Sequence, residues 1–304
     1  MEENKTKTKA TKKKVKKKKQ GLTSTILLVA IFFVGLSVLL YPTLSDFWNE
    51  KRQSQAIMNY DKLIEDLAPE DFSDHFKKAE EYNKKLSRMD FPFLGYKELD
   101  SLYKSTLDIN GNGMMGYITI EKIKVQLPIY HGTSDEVLNT AVGHLEGSSI
   151  PIGGEGRHSV LSAHRGLPSA KLFSELDKLV IGDTFTITIL DEILTYQVEK
   201  IFIVEPDQID KLLTVEGKDY VTLMTCTPYG INTHRLLIRS KRIDTVYKTN
   251  INVTADASAV DSMLIVPFIA LPLFGGLIVV WTVKGKTKKR RKIDYSELIK
   301  GGDS

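Results

Sequence analysis

The chain of 304 residues has one cysteine, Cys226. A lone thiol excludes an internal disulfide and any multi-thiolate metal site. What is left is a small buried hydrophobe, an intermolecular bridge or a nucleophile. Charge is absent from two long stretches, Gly21 to Ser45 and Ser262 to Val283. Each is about 20 residues, enough for a helix to cross a hydrocarbon core of about 30 Å. The acidic residues show no EF-hand spacing, and no ligand cluster for another metal is legible. No internal repeat is present, and neither metal nor organic cofactor is expected.

Basic charge is concentrated beside the apolar runs. Residues 1–20 hold ten lysines against two glutamates, and residues 284–304 hold eight Lys or Arg against three acids. The positive-inside rule then puts both termini in the cytoplasm and residues 46–261 outside. That middle segment keeps 24 of the 42 basic residues and 33 of the 38 acidic ones, a balance of −9, although the whole chain is +4. Nothing in it recommends nucleic acid as a partner. The first apolar run is longer than a signal-peptide core, and Tyr41-Pro42-Thr43-Leu44 is a poor cleavage site. It reads as an uncleaved anchor at 21–45, with a second span at 262–283. Pro267, Pro272 and Gly275-Gly276 in the second run are tolerated in membrane helices. The sequon Asn252-Val253-Thr254 carries little weight.

With no disulfide framework, the outer segment must be held by its core, and about 215 residues suffice for one. Residues 46–90 read as helix. Phe72, Phe76, Ala79, Tyr82 and Leu86 recur at spacings of three and four, and Ala68-Pro69 separates them from an earlier helix containing Ile57, Tyr60 and Leu63-Ile64. Residues 90–116 read as a loop. Beyond it, runs rich in Val, Ile, Thr and Tyr predict strands over 115–123, 125–130, 158–163, 183–190, 193–204, 219–226 and 235–243. Short helices are predicted at 135–142, 169–179 and 207–213. The pattern implies a mostly β protein with helical additions, an antiparallel or mixed barrel over 115–245. A helical extension (46–114) precedes it, and a linker (246–261) leads to the second span.

Cys226 ends the run Tyr220-Val221-Thr222-Leu223-Met224-Thr225, and Pro228-Tyr229-Gly230 follows as a turn. A thiol at the lip of a strand is accessible, but it needs a base or cation to become a thiolate. Among six histidines, His164 stands at a strand end in Ser162-Ala163-His164-Arg165-Gly166. His144 and His158 are alternatives by spacing, His75 lies on the polar side of a helix, and His234 alternates to the face opposite Arg235. Arg235 follows Cys226 by nine residues across a Pro-Gly loop. A hairpin of that length returns a guanidinium beside the thiol, where it can stabilise an oxyanion. Arg165, Arg239 and Arg242 stay open as alternatives.

Thr222-Leu223-Met224-Thr225-Cys226 resembles the TLxTC box of the sortase family. Gly143-His144-Leu145-Glu146-Gly147, Ser162-Ala163-His164-Arg165-Gly166 and the segment from Thr227 to Arg235 extend the likeness across roughly residues 50–245. The helical extension and second apolar run are similar to the class C, pilus-assembling sortases of Gram-positive bacteria. The resemblance implies an eight-stranded sortase barrel with two flanking transmembrane helices. It implies His164, Cys226 and Arg235 as catalytic residues, with Ser162, Ala163 and Thr225 as candidates for the substrate groove. It further implies transpeptidation: an LPxTG-like signal on a pilin is cut between Thr and Gly, and the Thr carboxyl is joined to a lysine of the next pilin. Anchoring to a cell-wall precursor, or a non-enzymatic assembly platform, are the alternatives. Class C relatives carry a lid with Asp-Pro-aromatic. Here Asp90, Phe91, Pro92 and Phe93 present the same residue types in altered order and are the lid candidate.

Overall fold

The computed structural model describes residues 3–67, 69–245 and 275, with side chains from Leu27 onward except Leu28 and 69–71. The second apolar run and the Asn252 sequon lie outside the described residues, apart from residue 275.

Helix α1 (Glu3–Asp66) is continuous through the first apolar run and into the helical extension, with Pro42 inside it. Among the described residues it is the one helix long and apolar enough to cross a membrane, and that window is unburied. Its later turns are held to the body by side chains. The Asn49 amide donates to the Ser169 carbonyl at 2.7 Å, and Gln53 donates to the Thr140 carbonyl at 2.7 Å. The Tyr60 hydroxyl donates to Met115 and accepts from Leu190 N–H. Helix α2 (Pro69–Leu86) begins at Pro69 and buries the predicted face: Ala79, Tyr82 and Leu86 are enclosed, with Phe72 and Phe76 packed alongside. Burying each large side chain contributes about 2 kcal/mol before the entropy of ordering it. Asn83 is buried on the same helix and ties it to the barrel, accepting from Ile150 N–H at 2.7 Å and donating to the Ile150 carbonyl at 3.3 Å.

The predicted loop over 90–116 is largely helical. Short helix α3 (Pro92–Gly95), a 3-10 turn (Tyr96–Leu99) and α4 (Asp100–Ser105) follow one another. Pro92 reads as a breaker in sequence but occupies the first turn, where its fixed φ and missing N–H fit. Helix α4 buries Tyr103.

The barrel strands are β1 (Met114–Ile120), β2 (Val125–His131), β3 (Val142–His144), β4 (Arg157–Ser162), β5 (Thr184–Ile189), β6 (Glu192–Val204), β7 (Asp219–Thr227) and β8 (His234–Ile243). They close in the order β1-β2-β3-β4-β7-β8-β6-β5. The barrel is mixed: β2–β3 and β4–β7 are parallel, and the other pairs are antiparallel. Alternation packs the interior, with Phe185, Ile187 and Ile189 from β5 meeting Leu194, Tyr196 and Val198 from β6. Closure between β1 and β5 depends on Gly116, where a Cβ would lie 2.2 Å from the Thr188 carbonyl oxygen.

Three predicted helices are shorter than expected. Helix α5 covers Asp135–Leu138, because Val142 is drawn into β3 opposite Ile129. The 169–179 and 207–213 segments keep only 3-10 turns, Leu176–Lys178 and Asp210–Leu212. In the former, Leu172 takes φ of +41°, incompatible with a helix, and Leu172, Phe173 and Leu176 all enter the core.

Candidate active site

Val221 and Leu223 on β7 belong to the barrel core, so Met224 and Cys226 face outward by alternation. Ser162 on β4 pairs with Met224 in parallel register, and the Ala163 N–H donates to the Met224 carbonyl at 3.2 Å. Two residues further along both chains stand His164 and Cys226. On the other side, β8 places Arg235 opposite Cys226. Cys226 and Arg235 are therefore paired across β7 and β8, and His164 lies just past the end of the neighbouring β4, at the same end of the barrel. Directly paired residues share a face of the sheet, so Cys226 and Arg235 do, on strands 4.7–4.9 Å apart as in any sheet. All three are partly exposed. The Nη1 of Arg235 donates to the carbonyls of Asn232 and His234 at 3.3 and 3.2 Å, which holds the guanidinium at the neck of the β7–β8 loop.

The other histidines are placed differently. His144 is fully buried: its Nε2 lies 2.8 Å from the Ser149 carbonyl and its Nδ1 3.0 Å from the Tyr103 hydroxyl. His158 contacts the Leu213 carbonyl through Nδ1 and the Thr222 hydroxyl through Nε2. Burial pushes both imidazoles down to about 4, so both stay neutral near pH 7. His158 pairs with Tyr220, six positions from Cys226 along β7, or roughly 20 Å at 3.3 Å per residue. His234 is exposed and reaches Glu205 at 3.5 Å.

The alternative arginines are engaged elsewhere. Arg239 lies over the Tyr220 and Phe202 rings and reaches Glu199, and Arg242 lies over Tyr196. Arg165 has a role that sequence reasoning missed. It bonds Asp177 at 2.5 Å and Thr227 at 3.3 Å, and its guanidinium lies 5.8 Å from the Tyr229 ring centre. It thereby ties the segment after β4, which carries His164, to the segment after Cys226. Its adjacency to His164 was the only available signal.

The groove candidates divide. Ser162 is half-buried on the Met224 side. Ala163 and Thr225 face inward and are enclosed, the Thr225 hydroxyl donating to the Ala163 carbonyl at 2.8 Å. Their side chains brace β4 against β7 and do not line an open groove. Of the lid candidates, Phe93 packs against the buried cluster of Val160, Val204, Leu212 and Leu237, against which Met224, on the same face of β7 as Cys226, also packs. Gly147 permits this approach: a Cβ there would lie 2.9 Å from both Phe93 Cα and the Pro92 carbonyl. Phe91 and Asp90 point to solvent. Beneath the segment is a cavity of about 220 Å³ whose lining includes Met89, Phe93, Ser148, His158 and Leu212. Among the described residues no His, Cys, Asp or Glu group is arranged to hold a metal.

A closed mixed barrel with a cysteine at a strand end, an arginine paired opposite it and a histidine just past the neighbouring strand has the groups that thiol acyl transfer needs. A family model for the sortase domain matches residues 118–243. The chain is 51% identical to sortase C1 of Streptococcus agalactiae, with a TM-score of 0.60, covering 63% of this chain and 100% of that one. It is 40% identical to sortase C of Streptococcus pneumoniae, with a TM-score of 0.56 and coverage of 63% and 97%. It is 28% identical to a sortase A of S. agalactiae over 187 residues, 60% of this chain and 73% of that protein. The chain belongs to the sortase family, among its class C members. It is a membrane-associated cysteine transpeptidase of Gram-positive type.

Proposed function

We propose that the chain polymerises pilins through Cys226. The thiolate attacks the Thr carbonyl of an LPxTG-like signal, and Arg235 stabilises the oxyanion. Collapse breaks the Thr–Gly bond, His164 protonates the leaving Gly amine, and a thioester to Cys226 remains. A lysine amine of a second pilin, deprotonated with help from His164, attacks the thioester. An isopeptide bond forms and the thiolate returns. The thioester conserves the energy of the cleaved peptide bond, so no nucleotide is consumed. The pairing of Cys226 with Arg235, with His164 just past the end of the neighbouring strand, carries this reading. The placement of Phe93 supports the 90–93 segment as a lid that must move before the signal enters. The pilin substrates of the S. pneumoniae relative support the acceptor. Two spans hold both termini in the cytoplasm and the barrel outside. Incubating the full chain with an LPxTG peptide and either a pilin-derived lysine peptide or oligoglycine tests the acceptor. An isopeptide product only with lysine supports polymerisation, and a product only with oligoglycine replaces it with cell-wall anchoring.

A further inference from the structure

Residues 169–183 lie where α1 leaves its apolar run. The charge-free stretch ends at Ser45. The very next residue, Asp46, accepts from the Lys171 N–H at 2.6 Å, and Asn49 donates to Ser169. If Leu22–Tyr41 fill a hydrocarbon core of about 30 Å, the headgroup layer reaches about 5–7 Å further, to residues 45–46 at 1.5 Å each. Ser169–Lys171 therefore sits at the outer edge of the headgroups. Exposed Phe47 and Trp48 on α1 fit an interfacial aromatic belt there.

Direct contacts link that loop to a neighbouring turn. Lys171 Nζ donates to the Ile123 carbonyl at 2.9 Å, neighbouring Lys122 pairs with Asp183 at 2.7 Å, and Asp183 accepts from the Val180 N–H at 2.6 Å. This places the turn Val180-Ile181-Gly182 beside the anchored loop. Two adjacent aliphatic side chains crown it, Val180 at 54% and Ile181 at 69% exposure. Leu179 is buried beneath them. Nearby charges are matched, Lys122 with Asp183 and Lys171 and Lys178 with Glu175. The face is thus suited to shallow apolar insertion more than to electrostatic capture.

We infer that the Val180–Ile181 turn rests in the membrane interface beside α1, as a second attachment of the barrel to the same bilayer. This rests on α1 spanning that bilayer. With α1 fixed to the barrel, one span leaves the two free to tilt and turn together; a second contact fixes their height and rotation over the bilayer. His164 is five residues from Ser169 and so at most about 18 Å from it. The acyl-transfer site is thereby held close above the lipid surface, within reach of a signal segment emerging from the membrane.

Nitroxide labels on the full chain test this, in a Cys226→Ala background reconstituted into phosphatidylglycerol and phosphatidylethanolamine vesicles. Single cysteines replace Ile181, Val215 and Val34. Val215 is exposed in the segment before β7, at the barrel end away from Cys226, and Val34 is exposed on α1. The expected result is a Val34 label in hydrocarbon and an Ile181 label several-fold less accessible to an aqueous relaxer than the Val215 label. Val34 in hydrocarbon with Ile181 as accessible as Val215 overturns the second attachment alone. An aqueous Val34 overturns the anchor, and this inference with it. An Ile181→Asp variant gives a second measure: barrel orientation, read from fluorescence polarisation in oriented bilayers, becomes disordered if the contact exists and is unchanged if it does not.

Discussion

Acid should unfold this protein over a window set by its two enclosed histidines. His144 and His158 titrate at about 4 in the fold against 6.5 when released. The unfolded chain therefore binds more protons between these values, and stability present above pH 6.5 is lost as pH falls toward 4. Each group accounts for about 3 kcal/mol, and together they give a slope of about 2.7 kcal/mol per pH unit inside the window. His131, also lowered by burial, acts in the same direction. Asp219, raised by burial, offsets part of the loss at the acid end. A domain with 5–15 kcal/mol of stability loses a large share of it by pH 4.5. Urea unfolding of the detergent-solubilised chain, followed by circular dichroism from pH 7.5 to 4.5, measures the slope. His158→Gln should halve it. A flat profile, or a slope unchanged by His158→Gln, would refute the assignment of these imidazoles as neutral and structural.

Three further outcomes follow from named contacts. Arg235→Lys keeps the charge but loses the planar fork, and should lower kcat by about 100-fold with little change in KM; a raised KM with kcat unchanged would indicate that Arg235 serves binding alone. Phe93→Ala and Gly147→Ala should both raise the rate at which a thiol reagent modifies Cys226, the first by removing the ring and the second by forcing Phe93 away; unchanged rates would show that the segment does not cover the thiol. Gly116→Ala should cost about 3 kcal/mol or more in urea unfolding, because the Thr188 backbone cannot yield to a Cβ at 2.2 Å; a smaller loss would mean that the β1–β5 seam is dispensable.

Seven of the eight strands were legible because β-branched and aromatic residues alternate within them and Gly, Pro and Asp bound them. The missing one, β3, has three residues around Gly143 and exists only through its neighbours. The helix over-predicted at 169–179 failed for a tertiary reason, since Leu172, Phe173 and Leu176 must reach the core from an irregular path. The Cys226–Arg235 juxtaposition was readable as a hairpin spacing. The His164 position was not, because β4 and β7 are parallel neighbours separated in the chain by β5 and β6. Local pattern carries no information about that pairing, and only the family resemblance selected His164 over His144 and His158. Arg165 was read only as an alternative to Arg235, and its bridging role was not legible for the same reason, as its partners Asp177, Thr227 and Tyr229 come from two separate parts of the chain.

The most direct test is the intact mass of the full chain after mixing with an LPxTG peptide, with Cys226→Ala and Phe93→Ala alongside. The native chain should gain a mass equal to the peptide acyl group ending at Thr, with the Gly fragment released. The adduct should be larger in Phe93→Ala and absent in Cys226→Ala. Cleavage that persists in Cys226→Ala, or no adduct in either the native chain or Phe93→Ala, would contradict a thioacyl enzyme at Cys226.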